Sequence, residues 1–70
     1  MYSYFNQLAD PSNTKIEYWV RDSYGSIIRR YPESSLYYAR QEAKTASGSI
    51  YEVVLVAQAG QDKVVSEQEI

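Results

Sequence analysis

Three stretches of this chain alternate as β-strands do, yet each carries large apolar side chains at both parities, and only one stretch keeps helical spacing over several turns. In Lys15–Asp22, Ile16, Tyr18 and Val20 share one parity, while Trp19 sits on the other between Glu17 and Arg21. Within Ser26–Tyr31, Ile27 and Ile28 are adjacent and are expected to point in opposite directions. In Ile50–Ala57, Tyr51, Val53 and Leu55 oppose Ile50, Val54 and Val56. A period of two assigns these runs to strands. Between Leu36 and Ser47, by contrast, Leu36, Ala39, Ala43 and Ala46 fall on one helical stripe, with Arg40, Gln41 and Lys44 facing water. Alanines on that stripe let the helix approach a sheet closely. One helix covers one sheet face, and the other face of a half-solvated antiparallel sheet is ordinarily polar. Here it is not.

Turn residues punctuate the same runs. Asp10-Pro11-Ser12-Asn13 separates an aromatic N-terminal arm, residues 1–14, in which Tyr4 or Phe5 with Leu8 has the spacing of a single helical turn. Asp22-Ser23-Tyr24-Gly25 joins the first two strands as a hairpin, with Gly25 free to take positive φ. Pro32 ends the second strand because it cannot donate to a ladder. Ser34-Ser35 offers N-cap hydroxyls to the helix, and Gly48 stands where a left-handed C-cap is expected. Gly60-Gln61-Asp62 reads as a further turn, Val64-Val65 as a short edge strand, and residues 66–70 as a polar, frayed tail.

The fold class expected is therefore α+β: a single three- to four-stranded sheet in β-β-α-β(β) order over residues 15–65, with one helix packed on one face. The third strand is placed beside the first, so that the most apolar strand is central. Were strands flanking the helix to run parallel, their crossover would be right-handed.

Seventy residues form one domain with a marginal core. With no cysteine and no histidine, disulfides and the usual zinc sets are excluded, and no cofactor is expected. Met1-Tyr2-Ser3-Tyr4-Phe5 lacks the pattern of a signal peptide, and Val53-Val54-Leu55-Val56-Ala57 is too short to span a bilayer, so a cytoplasmic protein without membrane contact is expected.

Catalysis is not expected either. There is no histidine, no cysteine nucleophile and no glycine-rich phosphate loop, and Glu33, Glu42, Glu52, Glu67 and Glu69 belong to caps, helix surface or tail. Glu17 and Glu52 are the one carboxylate pair that neighbouring strands bring near each other; two solvated charges is the plainer reading. Tyr18, Trp19, Tyr31 and Tyr51 offer rings for stacking single-stranded bases, with Arg29-Arg30 for phosphates. A net charge of −2 and the alternating direction of the basic residues oppose that alternative.

Three things can answer for the apolar second face. The arm, through Tyr2, Tyr4, Phe5 and Leu8, folds over it; or it is a homodimer or partner-protein surface; or the exposure is scattered and carries no meaning. On the partner reading the contact residues are Trp19, Arg21, Glu17, Ile28, Arg30, Val54 and Val56, with Trp19 the expected hot spot.

The series Trp19-Val20 … Ile27-Ile28 … Tyr31 … Ser35-Leu36 … Ala39 … Ala43 … Tyr51-Glu52-Val53 … Val56 is similar in layout to the small RNA polymerase inhibitors of T7-like phages, over about residues 16–58. That resemblance implies a strand-strand-helix-strand fold and binding to a host enzyme. In the inhibitor family, basic residues follow the aromatic-Glu-Val motif and contact the polymerase; Leu55 and Ala57 stand at those positions here, so those contact residues do not carry over. What the resemblance implies is the broader class: a phage-type modulator of a host protein, RNA polymerase or a defence complex, acting in the host cytoplasm. A structural domain that only homodimerises is the remaining alternative.

Overall fold

The computed structural model describes residues 14–70. The expected arm, and with it any cover that Tyr2, Tyr4, Phe5 and Leu8 provide, lies outside the described residues. Strands β1 (Thr14–Arg21) and β2 (Ile27–Pro32) lead through a 3-10 turn (Glu33–Ser35) into the helix (Leu36–Thr45), followed by β3 (Ser49–Gln58) and β4 (Gln61–Glu69). The four strands form one antiparallel sheet in the order β2-β1-β3-β4. The chain is thus a small α+β domain with β1 and β3 at its centre. β2 and β3 run parallel to each other but are kept apart by β1, so the helix connects them across an intervening strand.

The helix lies on the face that bears Tyr18, Val20 and Ile50, which form a buried cluster with Ala39 and Ala43. Ile16, Tyr31 and Leu36 close its margins. Ala39 is fully buried because a methyl group is all that the gap between helix and sheet admits. No described helix is long and apolar enough to cross a membrane.

Local geometry departs from the sequence reading in instructive ways. The left-handed residue at the helix C-terminus is Ser47 (φ 54), not Gly48. Ser47 N–H donates to the Lys44 carbonyl at 3.3 Å and Gly48 N–H to that of Ala43 at 2.8 Å, the paired bonds of a Schellman cap. Gly48 is required for another reason: a Cβ there would sit 1.9 Å from the Arg21 carbonyl oxygen at the end of β1. At the other terminus Ser35 makes no side-chain cap bond, because the 3-10 turn feeds the chain straight into the helix. The last hairpin turns on Ala59-Gly60, both at positive φ, one residue earlier than expected, and strand pairing resumes at Gln58 with Gln61.

Residues 66–69, expected as tail, continue β4 to Glu69, and Ile70 N–H donates to the Ile50 carbonyl at 3.0 Å. A polar composition misled there: an edge strand with little burial does not need apolar residues to pair. Ile27 and Ile28 do not simply alternate, because the β1–β2 register skips a residue. Val20 faces Arg29 and Arg21 faces Ile27, which leaves Ile28 as the extra residue of a bulge.

Candidate functional site

Register decides which expected contact residues share a face. Directly opposed residues lie on the same face of an antiparallel pair. Trp19 stands between Arg30 on β2 and Tyr51 on β3, and Glu17 between Pro32 and Val53. Glu17, Trp19, Arg21 and Arg30 therefore come together on the face away from the helix. Val54 and Val56 do not join them. They pair with Ile16 and Thr14, on the helix side, because the Tyr18–Glu52 pairing puts the even-numbered residues of β3 there. The same parity sends Glu17 and Glu52 to opposite faces, so they remain two separate charges, the plainer of the two readings. Ile28 stands at the sheet edge, in the bulge.

On the partner-surface reading Trp19 is the hot spot of an open face; it is 8% exposed and belongs to a second buried cluster with Val53, Leu55 and the flanking Tyr51. Val53 is completely buried and Leu55 nearly so. The centre of this face is therefore core. Burying an aromatic ring of this size removes about 150–250 Å² from water, on the order of 4–6 kcal/mol of transfer free energy.

Around that centre the polar groups satisfy one another. The indole N–H of Trp19 donates to Glu17 Oε1 at 2.8 Å. The Arg30 guanidinium lies 4.6 Å from the Trp19 ring centroid and donates to the same Glu17 oxygen at 3.4 Å. Lys15 bridges Glu17 and Asp62 at 3.5 and 2.8 Å. Partial burial tends to raise the Glu17 pKa, but the Trp19 N–H and the charges of Arg30 and Lys15 outweigh it and hold the carboxyl below its ordinary value. Lys15 is pushed up, first by its hydrogen bond to Asp62.

The other two sheet arginines repeat the pattern. Arg21 lies 5.3 Å from the Tyr51 ring, donates to Glu67 at 2.9 Å and reaches back to the Gly25 carbonyl at 2.7 Å. On the helix side Arg29 lies 5.9 Å from the Tyr31 ring and meets Glu42 at 2.8 Å, and the Tyr31 hydroxyl donates to that same carboxylate. That bond raises the Tyr31 pKa, since ionising the phenol would remove the donor. Tyr18 is also raised, chiefly by burial and then by the Glu52 charge.

Each sheet arginine thus has an aromatic ring beneath it and a carboxylate beside it. Such neutralised cations attract phosphate poorly, which argues against base stacking with a phosphate clamp. What stays accessible is the rim. Ile27 and Ile28 are 42% and 39% exposed on the outermost strand, next to a half-exposed Arg30. Ile27 was not among the residues expected from sequence, nor were the exposed Tyr37 and Tyr38 on the helix. A signal existed for the tyrosines: successive helical residues turn by about 100°, so Tyr37 and Tyr38 cannot share the stripe of Ala39 and Ala43.

No family model, no curated protein and no solved structure matches this chain.

Proposed function

We propose that this chain is a small protein-binding module whose contact surface is the rim formed by β2 and its bulge rather than the centre of the second face. One observation carries the reading. Ile27 and Ile28 are exposed together on an edge strand, beside an arginine that lies over Trp19 and bonds to Glu17. Exposed apolar groups flanked by a preorganised arginine are the ingredients of binding hot spots, because little rotamer entropy remains to be lost. The role is contact without catalysis. The layout shared with phage polymerase inhibitors directs the same reading toward a modulator of a larger host protein in the host cytoplasm, such as a polymerase or a defence complex.

The test compares tagged wild-type chain with the Ile28→Asp and Arg30→Ala variants in capture from bacterial lysate, followed by calorimetry with the purified captured protein. The reading expects one partner whose affinity falls about tenfold or more in each variant while far-UV circular dichroism stays native. Capture unaffected by both substitutions would remove this rim from the account.

A further inference from the structure

A groove of about 390 Å³ lies on the other side of the molecule, between the second half of the helix and the end of the sheet where β3 begins and β4 finishes. Ala43 and Ile50, both buried, contribute its apolar lining, and the partly exposed Ile70 stands with them. The Ile70 amide is tied to the Ile50 carbonyl at 3.0 Å, which fixes that wall. Arg40 and Lys44 project from the helix side, and Glu69 stands on the strand side.

Charge sets this groove apart. Lys15, Arg21, Arg29 and Arg30 each meet a carboxylate within 3.5 Å, whereas Arg40 and Lys44 in the groove, and Lys63 away from it, form no ion pair with any described residue. Glu69 borders the same groove, but its pairing with Tyr51 puts it on the sheet face away from the helix. Two like charges four residues apart on a helix repel each other in the free protein. Tyr37 continues their stripe toward the helix N-terminus, exposed and packed edge-on against Tyr38 at 5.4 Å. An apolar lining, two cations with no ion pair among the described residues and an exposed ring complement one class of occupant. We propose that the groove takes an acidic segment of a partner protein, with its carboxylates on Arg40 and Lys44 and an apolar side chain against Ala43 and Ile50. This site shares no residue with the β2 rim and stands or falls apart from it.

The probe is a fluorescein-labelled peptide alternating glutamate and leucine, with a glutamine-leucine analogue and an oligothymidylate of matched length alongside. Fluorescence anisotropy should show the acidic peptide binding, weakening as salt rises, and losing about tenfold in affinity in the Arg40→Ala/Lys44→Ala double variant. Lys63→Ala, an exposed cation on β4, should change nothing. Amide chemical shifts should move at Gly48 and Ile50 on addition of the peptide and stay still with the glutamine analogue. The proposal is overturned by absent binding, by equal binding of the glutamine analogue, by equal loss in Lys63→Ala, or by tighter binding of the oligonucleotide at the same amides.

Discussion

Ser47 and Gly48 divide two duties that the sequence seemed to give to one glycine. Ser47 occupies the left-handed conformation, which costs an L-residue roughly 1–2 kcal/mol and a glycine almost nothing. Ser47→Gly should therefore raise stability by about 1 kcal/mol in urea denaturation. Gly48→Ala should do the reverse, because its Cβ would meet the Arg21 carbonyl and neighbouring backbone that cannot swing aside as a side chain would. A loss of about 3 kcal/mol is expected, the upper range for overpacking. Equal effects at the two positions would contradict this division. Glu17 supplies the residue-scale response to pH. Folding lowers its pKa, so its stabilisation is complete above the ordinary carboxyl value of 4.5 and is lost as pH falls through the lower folded-state value. Glu17→Gln should flatten that part of the acid limb of the stability curve, and an unchanged acid limb would mean that the Trp19–Arg30–Lys15 contacts contribute nothing there.

At the scale of elements, the strands and the helix were legible because each keeps one period for long enough to be read, as in Ile16-Glu17-Tyr18-Trp19-Val20 and in Leu36, Ala39 and Ala43. The placement of β3 beside β1 followed from its apolar content. What escaped were features set by pairing. The extra residue at Ile28 is invisible without the partner strand, and the sorting of Val54 and Val56 away from Trp19 depends on a register that slips faces with a single step. The Arg21–Glu67 bond joins residues 46 positions apart, and nothing local announces it. The end of β4 carries no apolar alternation to read, because polar residues suffice for an edge. The β3–β4 hairpin offers a check of element-level chemistry. Ala59 and Gly60 both hold positive φ in a two-residue loop, the conformation for which Asn-Gly is preferred. Ala59→Asn should stabilise the domain by about 0.5–1 kcal/mol, read as a higher urea midpoint with an unchanged slope. A lower midpoint would show that the turn is not of this type.

For the molecule as a whole, the decisive fact is that the sheet has a dry centre on both sides. Tyr18, Val20 and Ile50 lie beneath the helix, while Trp19, Val53 and Leu55 lie on the far face. A domain of seventy residues has roughly 4–10 kcal/mol of stability at about 0.05–0.15 kcal/mol per residue, so neither cluster is dispensable. Trp19 tests this most directly, being the sole tryptophan in the chain. Its emission should be blue-shifted and poorly quenched by acrylamide in the native protein, and should move to the red on unfolding. Trp19→Ala should cost about 3–5 kcal/mol, enough to leave much of the chain unfolded at room temperature, whereas Trp19→Phe keeps a ring in the site and should retain a cooperative transition at a lower midpoint. Ile28→Asp, on the exposed rim, should change stability by less than about 1 kcal/mol. The contrast separates a core position at the centre of the sheet from a contact position at its edge. If Trp19→Ala kept native circular dichroism and the wild-type urea midpoint, the far face would be a surface after all, and the contact region would have to move from the β2 rim back to its centre.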